Sequence, residues 1–176
     1  RFAGQGDRPG LRRVFLEMAM SEVRKMLEAR LPGLHAGIEK MLAEAEARFN
    51  VETRHAPSEF LLEHTRRTAA IAFKVALLER VDPFLPTLVA LYHDAGKFHD
   101  GAYHQDDVPE EEHAAILAEP MLDASGMRRG EIDAVLEGLR GLYKDEIPSS
   151  AACRIVQDAD RLDKLGALGV GAFFTK

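Results

Sequence analysis

Cysteine, net positive charge and long apolar runs are what this chain lacks. Its single cysteine, Cys153, excludes an internal disulfide framework and favours a reducing compartment. The surrounding Ala-Ala-Cys153-Arg-Ile-Val marks that thiol as a small buried core residue rather than a reactive one. A net charge of −6 over 176 residues argues against an extended nucleic-acid surface, while leaving room for a local basic pocket around a phosphorylated small molecule. No apolar stretch approaches the roughly 20 residues of a membrane-crossing helix, and the first residues carry no signal-peptide pattern. A cytoplasmic setting is therefore expected, with native targeting left open because the chain begins at Arg1 rather than methionine. Alternating apolar and polar runs are also missing, which argues against hairpins, and there is neither repeat nor low-complexity tract. What remains is 46% hydrophobic and 30% charged, ordinary for a globular chain long enough for one domain with a real core and a short appendage.

Helical periodicity runs through almost every segment, so the expected class is all-α, an irregular helical bundle. Leu11 to Arg30 reads as an amphipathic helix with an apolar stripe of Leu11, Val14, Phe15, Met18, Val23 and Leu27, ended by Leu31-Pro32-Gly33. A second helix spans Leu34 to Phe49, and Asn50 to Ala56 reads as a loop. A long helix is expected from Pro57-Ser58, where serine can cap it, to about Arg80. Asp82-Pro83 then breaks the chain before a strongly apolar helix ending near Gly96 to Phe98. His99 to Pro109 reads as a polar loop, followed by helices near Glu110–Ala124, Arg129–Tyr143 and Ala151–Leu168. Residues 1–33 are expected to form an N-terminal helical extension and 34–176 the main domain. The extension, with Arg12-Arg13 and its stripe, is expected to pack on the bundle, with a dimer contact or a link to a further domain left open.

Chemistry concentrates at the end of the apolar run Leu85-Pro-Thr-Leu-Val-Ala-Leu-Tyr-His93-Asp94-Ala-Gly-Lys97. Such a run is read as buried, and a carboxylate carried into a buried site needs a partner or a metal. A neutral imidazole beside an ionised carboxylate suits a divalent cation of intermediate hardness. His64, 29 positions before His93 in an apolar-faced helix, is a candidate second imidazole. The last helix offers Asp158, Asp160 and Asp163. At about 100° per residue Asp158 points roughly 160° away from Asp160, whereas Asp160, Asp163 and Lys164 share a side. Asp160 is therefore the better ligand candidate, with Asp163 close behind.

His64, His93-Asp94 and Asp160 together resemble the H…HD…D signature of the HD superfamily of metal-dependent phosphohydrolases, over most of residues 57 to 170. Asp158-Ala-Asp160-Arg161-Leu162-Asp163, followed by Gly166-Ala-Leu-Gly169, is similar to the last-helix motif of small bacterial HD hydrolases. In the related stringent-response nucleotide hydrolases an Ala-Asp-Arg-Leu phrase supplies the final ligand, which carries over to Asp160. The resemblance implies an HD-type helical bundle and a site in which His64, His93, Asp94 and Asp160 hold one divalent ion, with a second left open. Manganese, iron, cobalt, nickel, zinc and magnesium are all admissible. It also implies hydrolysis of a small phosphorylated, nucleotide-like substrate, with Asp94 helping to orient the attacking water. His93-Asp94-Ala-Gly-Lys97 resembles the HDxGK form of cyclic-dinucleotide phosphodiesterases, in which the lysine approaches phosphate, so Lys97 is expected to serve catalysis and substrate binding. Arg67, one helical turn beyond His64, Asp163 and His113 complete the expected substrate contacts.

Several departures bear on substrate. Dinuclear relatives usually supply a histidine or a pair from the helix after the one carrying His113, and Val135-Leu-Glu-Gly-Leu-Arg-Gly-Leu-Tyr143 contains none. The GYP portion of the cyclic-dinucleotide subfamily is missing. Lys97-Phe98 stands where stringent-response hydrolases carry an acidic pair. His99 and His104 are expected to be solvated, and His35 and His55 have no supporting pattern. Two rival readings are a non-catalytic HD-fold sensor or ligand-binding domain and, less favoured, a di-iron oxygenase. Oligomeric state is open.

Overall fold

Proline and glycine set the first corner of the chain. Helices α1 (Pro9–Arg30) and α2 (Leu34–Thr53) meet at Leu31-Pro32-Gly33, where Gly33 takes a left-handed φ of 78° that a side chain would disfavour. Glu28 accepts the Gly33 amide through both carboxylate oxygens, at 3.2 and 3.1 Å. The computed structural model describes residues 9–54, 59–98, 107–144 and 150–165. It continues through α3 (Phe60–Leu78), α4 (Phe84–Tyr92), α5 (Glu110–Ala124), α6 (Arg129–Arg140) and α7 (Ala151–Lys164). No strand occurs among the described residues, so the chain is the all-α, irregular bundle that its periodicity predicts. None of the described helices is long and apolar enough to cross a membrane.

Helix α4 is the hub. Of its nine residues all but Leu85 are buried, as expected of a helix that is apolar all round. It packs against α3, α7 and α6, with α1 and α5 completing its enclosure. The Asp82-Pro83 break also starts this helix: Asp82 Oδ1 accepts the Phe84 amide at 3.0 Å, and Pro83 has a φ of −69° already suited to a helix. Helix α3 lies across α4 and α7, which carries chemistry from three separated stretches of sequence to one place. Ser150 caps α7, accepting the Cys153 amide at 3.1 Å. Cys153 itself is fully buried, and burial pushes its thiol up from the ordinary value, in keeping with a core role.

Several boundaries differ from the sequence reading, among them the end of α6, at Arg140 rather than Tyr143. Helix α2 continues through Asn50 to Thr53, where a loop is expected. Asn50 is buried, and the Phe49 ring stacks on Phe98 at 4.3 Å, so tertiary contact holds a polar turn in helical form. Arg54 then closes the helix with a φ of 58°. Helix α3 starts at Phe60, and its first free amides are taken from a distance: the buried Glu46 carboxylate of α2 accepts from Leu61 at 3.1 Å and from Leu62 at 3.4 Å. Pro57 and Ser58, the expected start, lie outside the described residues, as do His55, His99, His104 and the segment from Gly166 to Gly169. Helix α4 stops at Tyr92, so His93 to Phe98 form a succession of turns rather than a last helical stretch.

Helix α1 packs on the bundle along Met20, Val23 and Leu27, which belong to the same continuous core as α4 and α7. The upstream part of its stripe does not reach that core: Val14, Phe15 and Met18 are exposed, and the Leu11 side chain lies outside the described ones. At about 100° per residue Val14, Phe15 and Met18 point roughly 120–160° away from Met20, so the stripe read from the sequence joins two sides of the helix and only Val23 and Leu27 of it lie on the buried one.

Candidate metal centre

Two imidazoles face each other in the cleft between α3 and the turn after α4. His64 Nε2 and His93 Nε2 are 3.2 Å apart. Each ring is oriented by what its other nitrogen touches. His93 Nδ1–H donates to the Ala90 carbonyl at 2.6 Å, and His64 Nδ1–H donates to Asp163 Oδ2 at 2.8 Å. A carbonyl and a carboxylate can only accept, so both Nδ1 atoms carry protons and both Nε2 atoms face inward.

Two carboxylates complete the circle. Asp94 Oδ2 is 3.4 Å from His64 Nε2 and 3.5 Å from His93 Nε2. Asp160 Oδ1, brought in by α7, is 3.2 Å from His64 Nε2 and 3.9 Å from His93 Nε2. All four residues are buried, with no more than 5% of any of them exposed. In the neutral tautomers these four atoms bear lone pairs and no proton, and Asp160 Oδ1 has no hydrogen-bond donor among the described residues. Four converging lone pairs in a buried space require a cation, either a proton or a metal ion. Ligand atoms of His64, His93 and Asp94 lie within 4.8 Å of one another, close enough to share one ion. Two carboxylates would neutralise its charge, and the donor set suits a divalent metal.

The titration of these groups follows the same logic. Burial opposes a charge on His64, but contacts with Asp160, Asp163 and Asp94 outweigh it and raise its pKa from 6.5 to about 10. His93 moves the other way, lowered by burial and by the neighbouring His64 against the pull of the carboxylates. One proton is thus held between the rings, on His64, when no metal competes for it. Burial works against ionised Asp94, yet His93, His64 and Lys97 keep its carboxyl well below the usual carboxylate range. Asp160 is likewise held low against burial, by His64 and Lys164.

Around the ligand atoms lies a supporting layer. Asp163 is clasped by Arg67, whose Nε and Nη2 donate at 2.7 and 3.1 Å, so one carboxylate joins Arg67 to the His64 ring. Such a carboxylate behind a metal-binding histidine sets ring orientation and raises ligand basicity. Lys97 hydrogen-bonds Asp94 Oδ2 from a partly exposed position. Asp160 Oδ2, the oxygen turned away from the rings, accepts from Tyr143 OH at 2.8 Å and Lys164 Nζ at 2.6 Å. Burial and the Asp160 carboxylate push the Tyr143 phenol well up, so it remains a donor.

The structure therefore brings together His64, His93, Asp94 and Asp160, with Lys97 on Asp94. Asp163 and Arg67 stand one layer back, joined to each other and to His64. His113 is buried on α5 outside the cluster of ligand atoms, and its Cβ packs against Gly96. Tyr143 had no signal in the sequence: it is a lone aromatic residue just past the end of α6. Lys164 was legible only as a residue on the Asp160 side of α7.

An all-helical bundle with a buried His–His-Asp–Asp cluster, assembled from α3, the turn after α4 and α7, is a helical fold with a donor set able to hold a metal. The chain belongs to the HD domain family, which matches residues 61–165 and so spans every element of the cluster. Its fold is similar to that of a predicted HD superfamily hydrolase from an uncultured Thermotogales bacterium. The two chains are 26% identical, with a TM-score of 0.66, over 86% of this chain and 79% of that one. No curated protein sequence matches the chain. Fold and family together make it an HD-type protein of the hydrolase kind.

Proposed function

We propose that the chain is a metal-dependent phosphohydrolase acting on a phosphate ester of a nucleotide or another small phosphorylated metabolite. The observation that carries this reading is the convergence of His64 Nε2, His93 Nε2, Asp94 Oδ2 and Asp160 Oδ1 on one buried point, where Asp160 Oδ1 is left without a donor among the described residues once His64 Nε2 is unprotonated. These four residues would hold one divalent ion, and the ion supplies Lewis acidity toward water and phosphoryl oxygens.

The remaining steps belong to side chains. Asp163, held by Arg67, keeps the proton of His64 on Nδ1 so that Nε2 stays directed inward. Asp94 orients the attacking water. Lys97, partly exposed and next to Asp94, binds a phosphate oxygen of the substrate. Water attacks phosphorus, the bond to the leaving oxygen breaks, and that oxygen takes up a proton. His113, which packs against Gly96 from the start of α5, would contact the substrate from that side of the turn.

The test is hydrolysis of a panel of phosphomonoesters, phosphodiesters and nucleotides by metal-stripped protein resupplied with individual divalent metals, run beside Asp94→Ala. Metal-dependent phosphate release that disappears in the folded variant is expected, and the panel identifies the bond class. Normal turnover by Asp94→Ala would refute the assignment. Tight metal binding without hydrolysis of any compound would instead favour a sensor.

A further inference from the structure

Tyr143 occupies a backbone conformation that its position does not favour. Its φ is 59°, in the left-handed region where Gly and Asn are the usual residues after a helix, and where a bulky aromatic is uncommon. Packing does not account for this, because 45% of the residue is exposed. What the conformation does achieve is a contact: the hydroxyl donates to Asp160 Oδ2 at 2.8 Å, across from the end of α6 to α7. The approach is pinned upstream, since a Cβ on Gly141 would meet Cys153 Sγ at 3.3 Å, so the turn after α6 sits directly against the start of α7. Asp160 lies two turns further along that helix.

Asp160 has two oxygens with opposite surroundings. Oδ2 receives the donors of Tyr143 and Lys164, while Oδ1, buried, faces the two imidazoles. We infer that Tyr143 is a positioning residue for the metal centre: its hydroxyl holds Oδ2 outward, so that Asp160 offers Oδ1 alone to the ion. This inference rests on the metal-binding reading above. Lys164 is 56% exposed and on a flexible stem, so it neutralises charge without defining direction. The phenol, on a short rigid side chain, defines direction. Hydrogen-bonded partners behind a metal ligand are typically worth about 10–100-fold in metal affinity or activity.

Cobalt(II) binding to wild-type, Tyr143→Phe and Tyr143→Gly proteins tests this, read by calorimetric affinity and by the visible absorption of the bound ion. Tyr143→Phe keeps the ring and loses only the donor. Tyr143→Gly loses the donor but relaxes the left-handed turn, so a merely structural tyrosine predicts unchanged affinity and equal or better thermal stability. The expected result is affinity about tenfold weaker or more in both variants, with an altered cobalt spectrum as Asp160 becomes free to bind through either oxygen. Wild-type affinity and spectrum in Tyr143→Phe would overturn the inference while leaving the metal site intact. Failure of the wild-type protein itself to bind cobalt would overturn the metal-binding reading, and this inference with it.

Discussion

Gly96 lies two residues beyond Asp94, where the turn carrying the site presses on the first turn of α5. A Cβ there would sit 2.2 Å from the Glu110 carbonyl oxygen, 2.8 Å from His113 Cβ and 3.0 Å from the Ala114 nitrogen. Carbon-to-oxygen contacts come to rest at about 3.3–3.6 Å, so Gly96→Ala forces the two segments apart by about 1 Å. The obstructing atoms are mostly backbone, which cannot rotate away as a long side chain would. The cost should therefore lie near the top of the usual overpacking range, about 3 kcal/mol. For a chain of this size that corresponds to a melting point lower by roughly 6–12 °C. The matched control is Gly130→Ala in α6, where nothing lies within 4 Å of the added atom. That variant should be unchanged or more stable by about 0.4–1 kcal/mol. Paired thermal and guanidinium unfolding measures both, and a metal titration on the folded Gly96→Ala protein should show weakened binding, since Asp94 moves with the turn. A Gly96→Ala protein melting with the wild type and binding metal equally well would refute the close packing of α5 on the site.

Other outcomes follow from the same geometry. Metal binding at neutral pH should release a proton, because His64, raised to about 10, is protonated in the metal-free protein and must give up Nε2 to the ion; calorimetry in buffers of different ionisation enthalpy detects it, and no buffer dependence would contradict the assignment. In metal-free protein the raised His64 pKa contributes stability fully below 6.5 and loses it as pH climbs through about 10, so the melting point should fall across that alkaline window; a flat profile there would count against the His64 contacts. Asp163→Asn removes the charge shared by His64 and Arg67 and should weaken metal binding by about 10–100-fold, read by titration, with unchanged affinity as the contrary result. Glu46→Ala should cost about 1–2 kcal/mol and speed hydrogen exchange at the Leu61 and Leu62 amides, because its carboxylate accepts both; unaltered exchange would show that the cap matters little.

Much of this was legible in the sequence because it is local. Helical phase separated Asp160 from Asp158 and put Lys164 beside Asp160, and the apolar run before His93-Asp94 foretold a buried pair. What was not legible depends on distance in sequence. Glu46 caps a helix by taking an amide 15 positions later, which no local capping pattern encodes. Asn50 to Thr53 read as a loop because they are polar, yet the Phe49–Phe98 stack holds them in α2. Arg67 read as a substrate contact one turn from His64, and the carboxylate it holds, Asp163, is 96 positions away. Tyr143 escaped for the same reason, since nothing near it in sequence shows that Asp160 lies within reach of its hydroxyl.

The most direct test of the account is the metal content of the protein, measured by elemental analysis after dialysis against each divalent metal, for wild type and for His93→Ala. His93 is buried, makes no exposed contact, and contributes one of the four inward lone pairs. The account predicts one divalent ion retained per wild-type chain and none above background in a folded His93→Ala protein. A wild-type chain that retains no metal, or a His93→Ala chain that retains as much, would contradict it.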